Sequence, residues 1–229
     1  MKEKIYEIPV NDAFNQDCEC PICILERNLE QNTIEFVLGP AMMEPDYRIL
    51  TNQKGFCHRH LRLLFQAQNK LPLSLILDTH INELNKLLSK TNLMGKAPQT
   101  EPIKKKLEQV QQSCAACDKI EFVMEKYIDV IFYMWKKQPD FSKKIENSKG
   151  FCIPHFNRLL QQAPQFLSKK ETSSFCLQLI ALQKREMARI KEEIHWFTQK
   201  FDYKNEQQPW GNSKDAPIRT VEKLCGFLE

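Results

Sequence analysis

The sequence predicts an all-α protein: a tandem pseudo-repeat of helical units, each pinned by a three-cysteine, one-histidine metal site, followed by a C-terminal loop and helix. Three observations predict it. Apolar residues recur at steps of three and four through most of the chain, and almost no segment alternates polar and apolar with the period of two that a half-buried strand needs. The pattern Asn-x-Lys-Gly-Phe-Cys-x-x-His occurs at Asn52–His60 and again at Asn147–His155, each copy running on into a leucine pair (Leu63 and Leu64; Leu159 and Leu160). Each copy also follows a Cys-x-x-Cys at nearly the same distance, 34 positions from Cys23 to Cys57 (57 − 23) and 35 from Cys117 to Cys152 (152 − 117). Pro45-Asp46-Tyr47 and Pro139-Asp140-Phe141 each begin 22 positions after the second cysteine of their copy (45 − 23 and 139 − 117).

The bulk numbers suit that class. A 229-residue chain with 42% hydrophobic and 27% charged residues can bury a core and is not a disordered composition. A net charge of +4 comes from lysine pairs and a Lys104–Lys106 triplet scattered among carboxylates, which describes solvated helix faces rather than a nucleic-acid stripe. Met1–Val10 has charges and no apolar h-region, so no secretory signal is expected, and the most apolar run, Val130–Trp135, is far too short to span a bilayer. A cytoplasmic location follows as an expectation. Nine cysteines in such a chain then argue for metal or redox chemistry rather than a disulfide framework.

In chain order, Pro9 is expected to stop any early element in a lead-in, with Asn11 or Asp12 capping a short helix through Phe14. The first Cys-x-x-Cys opens a helix carrying Ile22, Leu25, Leu29, Phe36 and Val37, ended by Gly39-Pro40. A short irregular or one-turn segment through Pro45 and Asp46 leads to the Gly55-Phe56-Cys57 turn. Helices over about 56–68 and 72–88 follow, the second with the stripe Leu73, Leu77, Ile81, Leu84 and Leu88. Thr91–Pro102, with Gly95, Pro98 and Pro102, is the best linker signal. Cys114 and Cys117 open a helix through Ile120, Val123, Tyr127, Val130, Ile131 and Met134 that ends before Pro139. Pro154 sits in the first turn of a helix after Cys152, where its missing N–H is harmless. Ser168 or Thr172 caps a long helix to Phe201 with a heptad stripe of Ile180, Met187, Ile194 and Phe201 beside Cys176, Gln183, Ile190 and Phe197. That helix is expected to pack in the bundle, with an intermolecular coiled coil over 172–201 as the alternative. In the tail, Trp210 is expected to plug a core and a final helix to use Val221, Leu224 and Phe227. The resulting division is 1–90 for the first unit with its lead-in, 91–112 for a linker, 113–201 for the second unit and 202–229 for the tail.

The chemistry concentrates on eight residues. Cys-x-x-Cys places two sulfurs on one side of a turn, and Cys-x-x-His at a helix start places two donors at i and i+3 on one face. Repetition in register identifies Cys20, Cys23, Cys57, His60, Cys114, Cys117, Cys152 and His155 as the shared set. Cys18 aligns with Gln112 and His58 with Ile153, leaving these two as alternative ligands at most. Cys176 and Cys225 read as core thiols. Soft and borderline donors in closed sets of four point to two structural zinc ions per chain, with an iron–sulfur centre or metal-free redox dithiols as alternatives. A duplicated unit that folds around its own metal predicts pairing within each copy. The alternative crossing joins Cys20, Cys23, Cys114 and Cys117 at one metal and Cys57, His60, Cys152 and His155 at the other.

Cys20-Pro21-Ile22-Cys23, Met43-Glu44-Pro45-Asp46, Gly55-Phe56-Cys57-x-x-His60, the second Cys/His set and the ending Asp215-Ala-Pro-Ile-Arg219 … Leu224-Cys-Gly226 together resemble a family of bacterial cysteine-rich proteins described as a domain of unknown function. The resemblance covers nearly the whole chain. It implies metal binding and a repeated unit and supplies no activity or substrate.

No phosphate loop, nucleophile elbow or zincin helix is present, so catalysis is not expected. Asp46 and Asp140 repeat with the ligands, which suits supporting or capping roles, and Asp202, Asp215 and Arg219 suit ordinary ion pairing. Nucleic-acid binding would have to use Arg59, Arg62 and Arg158, few among leucines and glutamines. The expected function is a zinc-pinned scaffold or adaptor for another protein.

Overall fold

The computed structural model of the protein describes residues 4–89 and 100–227. Among them the regular structure is helical throughout: α1 (Lys4–Phe14), α2 (Pro21–Leu38), α3 (Pro45–Lys54), α4 (His58–Gln66), α5 (Lys70–Ser89), α6 (Glu101–Gln112), α7 (Ala115–Lys137), α8 (Pro139–Asn147), α9 (Ile153–Phe166), α10 (Lys169–Gln199) and α11 (Ala216–Cys225). Short 3₁₀ turns occupy Pro40–Met43, Tyr203–Asn205 and Gly211–Ser213. No described helix is long and apolar enough to cross a membrane.

Four elements differ from expectation, and proline explains most of the difference. Pro9 lies inside α1 instead of ending it. Pro45 and Pro139 begin helices α3 and α8 rather than irregular segments, because a proline at the first helical position gives up an N–H that has no intrahelical partner. Asp46 and Asp140 then fall in the first turns of these helices, where a carboxylate complements the helix dipole. Pro102 likewise opens α6, so 101–112 of the expected linker is helical, while 90–99 lies outside the described residues.

The chain forms two compact units that do not follow the sequence copies. One comprises Met1–Arg27 with Met124–Glu229, the other Asn28–Val123. The division expected at 1–90, 91–112, 113–201 and 202–229 is therefore not the division by contact. Both joins fall inside helices, α2 and α7, and the tail belongs to the first unit. The Cys/His turns give the physical reason, because each unit combines a Cys-x-x-Cys from one copy with a Cys-x-x-His from the other.

The first unit is built on a cluster of aromatic side chains. Phe14 meets Phe141 and Phe151 at ring distances of 5.0 and 6.1 Å, and Phe132 meets Phe166 and Phe175 at 5.3 and 5.1 Å. Phe132, Phe151 and Phe175 are fully buried, each removing enough apolar surface to contribute about 2–3 kcal/mol. Ser168 caps α10 in a reciprocal box with Glu171. The buried face of α10 is Phe175, Leu179, Leu182, Gln183, Glu186 and Ile190, so Gln183 and Ile190 of the expected heptad stripe point inward, whereas Ile180 and Phe201 are exposed. The face is rotated because it carries charges inward, to partners described below. Trp210 covers Phe197 at 5.7 Å rather than a core. Cys225 is exposed and Cys176 half-buried, so neither is a core thiol.

The second unit has a smaller aliphatic core of Ile34, Val37, Leu64, Leu73 and Ile76, flanked by Tyr47, Phe56 and Leu63. Leu77, Ile81 and Leu88 of the expected α5 stripe are exposed, and Ile76 does the inward packing in their place.

Candidate metal centres

Two glycine turns set up both sites. Gly55 and Gly150 have φ of 63° and 79°, a left-handed conformation that β-carbon-bearing residues avoid. A Cβ at Gly150 would stand 3.0 Å from the Gln183 amide oxygen, and one at Gly55 would stand 3.3 Å from the His80 ring. Those neighbours hold the turns. Buried Gln183 donates to the Phe151 carbonyl at 2.9 Å and accepts from the Phe151 N–H at 3.2 Å, and the His80 ring meets the Asn52 carbonyl at 3.2 Å. Each turn delivers a cysteine to a helix N-cap, Cys57 for α4 and Cys152 for α9, with the histidine one turn along.

The eight residues singled out by repetition come together in two groups of four, and the grouping differs from both pairings expected. One group is Cys20, Cys23, Cys152 and His155, all in the first unit. The other is Cys57, His60, Cys114 and Cys117, all in the second. Each group thus takes its Cys-x-x-Cys from one sequence copy and its Cys-x-x-His from the other. Within each, the donor atoms lie within 4.8 Å of one another, close enough to hold a metal ion. Cys18 and His58 belong to neither group.

In the first group His155 Nδ1 stands 3.5, 3.3 and 3.1 Å from the sulfurs of Cys20, Cys23 and Cys152, and Cys23 and Cys152 are 3.5 Å apart. In the second, His60 Nδ1 stands 3.2, 3.3 and 3.3 Å from Cys57, Cys114 and Cys117, with Cys57 and Cys117 3.8 Å apart. The outer nitrogen of each ring faces a carboxylate: His60 Nε2 is 3.1 Å from Glu30, and His155 Nε2 is 3.5 Å from Glu26. Glu30 also accepts from Arg59 at 2.8 Å. These two glutamates were not found from sequence. They lie on α2 outside the repeated motifs, and nothing in an isolated Glu-x-x-x-Glu distinguishes it from a solvated face.

The N-cap thiols are both lowered from the ordinary thiol range. The thiols of Cys20 and Cys23 and the His155 N–H hold Cys152 at about 4 against the effect of burial. Burial pushes Cys57 up, but the His60 N–H and the neighbouring thiols outweigh it and leave it lowered. Their partners go the other way. Cys23 is raised by donating to Cys152 and Cys20 and by burial, and Cys117 by burial and by the adjacent Cys114. Burial also pushes Cys18 up to about 11, which suits its place outside the set.

The surroundings of the two groups differ. All four donors of the first are buried, and Gly226 at the end of α11 lies so close that a Cβ there would stand 3.4 Å from the Cys23 sulfur. From α11 the fully buried Lys223 ammonium donates to the Glu19 carbonyl at 2.7 Å and the Lys149 carbonyl at 2.5 Å, tying the loop before Cys20 to the loop before Cys152. The Glu19 carboxylate, also buried, meets Lys223 at 3.0 Å and Arg189 at 2.6 Å, with Arg219 at 3.5 Å. Glu186 and Glu193 complete the network around Arg189, at 2.7 and 3.0 Å. Arg219 pairs with Asp215 as expected, and Asp202 lies apart, capping the turn at Tyr203–Asn205. In the second group Cys57 is half-buried and Cys117 exposed. There Ser113 replaces the lysine, donating to the Lys54 carbonyl at 2.8 Å.

Neither a curated protein nor a solved structure matches the chain. One family model does, over its whole length. The duplicated Cys/His motifs and the charged ending that covers the first group are parts of a chain that belongs, across residues 1–229, to the family of unknown function DUF6062.

Proposed function

We propose that the protein is a zinc-binding helical scaffold, with one structural ion in each Cys/His group and two per chain, that acts by presenting a surface to another protein rather than by catalysis. The observation that carries this reading is the tetrahedral spacing of the donors. Zinc bonds of about 2.3 Å to sulfur and about 2.0 Å to nitrogen place tetrahedral sulfurs about 3.8 Å apart and sulfur–nitrogen pairs about 3.6 Å apart. The sulfur pairs at 3.5 and 3.8 Å and the sulfur–nitrogen pairs at 3.1–3.5 Å fit one ion closely. Four protein donors complete that sphere and leave no position for substrate. An iron–sulfur cluster divides its cysteines among several irons, which asks for more space than donors within 4.8 Å provide. The nucleic-acid reading loses Arg59, whose guanidinium is engaged by Glu30. A reducing compartment such as the cytoplasm suits nine unpaired cysteines.

Metal analysis of protein purified without air tests the reading directly. Two colourless zinc ions per chain are expected. Iron with acid-labile sulfide and visible charge-transfer absorption would overturn it, and so would protein that takes up no zinc.

The carboxylate behind each histidine supplies a second check. A carboxylate on the outer imidazole nitrogen fixes the tautomer that leaves Nδ1 free for metal and makes it a better donor. Glu30→Gln is expected to weaken zinc binding at the second group by about 10- to 100-fold while leaving the first unchanged. Competition with a chromogenic chelator reads this, and equal affinities in the variant and the parent would remove Glu30 from the site.

A further inference from the structure

The asymmetry between the two groups has a chemical consequence. Both offer three sulfurs within reach of one another, but their access to solvent differs. In the first group Cys20, Cys23 and Cys152 are each 4% exposed or less. In the second, Cys117 is exposed and Cys57 half-buried. These two sulfurs are 3.8 Å apart, against about 2.05 Å in a disulfide, so a movement of about 1.8 Å joins them. They come from separate elements, the N-cap of α4 and the first turn of α7, and the bond would replace the metal as the tie between those elements.

We propose that the second group is a peroxide-sensitive thiol site, in which a Cys57–Cys117 disulfide forms and the metal leaves, while the first group stays reduced and loaded. This rests on the reading of both groups as metal centres. The Cys117 thiolate attacks one oxygen of a hydroperoxide, the O–O bond breaks, and the products are a sulfenic acid and hydroxide, or alkoxide from an organic peroxide. The Cys57 thiolate then attacks the sulfenic sulfur, forms the S–S bond and expels a second hydroxide. Two sulfurs lose one electron each, and the peroxide accepts both. The ion, left with Cys114 and His60 alone, has lost half of its donors and dissociates. Metal-bound thiolate reacts when an oxidant can approach it, and approach is what the surroundings of the first group deny. Gly226 lies against Cys23, and Lys223 closes the two loops from which Cys20 and Cys152 emerge.

The test uses the full chain loaded with zinc and shown to hold two equivalents. Hydrogen peroxide is added in modest excess, zinc release is followed with a chromogenic chelator, and thiols are mapped by alkylation and tryptic mass spectrometry. One equivalent is expected to leave about tenfold faster than the other, or more, as access to the thiolate differs. The peptide Gly55–Arg59 is then cross-linked to Leu107–Lys119, with fragmentation placing the bond at Cys117. After denaturation, Cys20, Cys23 and Cys152 should all alkylate. Release of both equivalents at one rate, oxidation of the first group, or a bond other than Cys57–Cys117 would overturn the inference and leave the metal reading standing. Failure to load two equivalents at the outset would overturn both. Cys57→Ser supplies an independent check. It should still consume the Cys117 thiol, as a sulfenic acid trapped by dimedone or as a bond to the adjacent Cys114, and a variant that leaves Cys117 reduced speaks against Cys117 as the attacking thiol.

Discussion

Replacing Cys152 with alanine is expected to unfold the first unit and to halve the zinc content of the protein. Cys152 is wholly buried, sits at the N-cap of α9, and is held well below the usual thiol range by the neighbouring thiols of Cys20 and Cys23. Its loss leaves three donors and a cavity. A structural zinc site contributes on the order of 10 kcal/mol to folding. That is as large as the whole stability of an ordinary domain, about 5–15 kcal/mol. The donors also close a long span, since Cys23 and Cys152 lie 129 positions apart (152 − 23) and no disulfide substitutes for the ion. Hydrogen exchange should show protection lost across α9, α10 and α11 and retained in α4 and α5, which have their own donors and the Ile34–Leu64–Ile76 core. Cys176→Ala, a half-buried thiol of α10 outside both groups, is the control and should keep both ions. A Cys152→Ala protein that still binds two zinc ions, or that melts within a degree or two of the parent, would show that the group is not a structural centre.

Much of this was legible in the sequence because repetition filters coincidence. Cys18 and His58 would each look like a ligand in a single motif, and each drops out when the two copies are laid together. The partnership of the motifs was not legible. Spacing tells which two thiols share a turn, but both Cys-x-x-His turns are chemically equal partners for either Cys-x-x-Cys, and only the packing of the helices chooses between them. Helices α3 and α8 were missed for a different reason. They are short and polar, and Pro45 and Pro139 read as breakers although each opens its helix. In the tail the apolar residues mislead. Leu224 and Ile218 of α11 are exposed, while Lys223 is fully buried. A hydrophobic pattern turns that helix over, because its inward face is chosen by a carboxylate 204 positions away (223 − 19).

That carboxylate yields the second large effect. Glu19→Ala is expected to destabilise the first unit by about 3–5 kcal/mol, the cost of leaving a buried charge without its partner. Arg189 keeps Glu186 and Glu193, and Arg219 keeps Asp215 and Glu193, so neither is abandoned. Lys223 is. It has no exposed surface, and its remaining acceptors are the two backbone carbonyls of Glu19 and Lys149. For a unit of this size the melting temperature should fall by roughly 10 °C. Adding Lys223→Met to Glu19→Ala removes the orphaned ammonium and should restore about half of the lost stability, since two apolar side chains in a buried site need no partner. Zinc affinity should not return with it. The methionine cannot donate to the Glu19 and Lys149 carbonyls, so the loops that present Cys20 and Cys152 lose their tie, and affinity at the first group should stay about 10- to 100-fold below the parent. A double variant that recovers both stability and affinity would reduce Lys223 to a counter-ion. Recovery of stability alone identifies it as the residue that holds the first group in register.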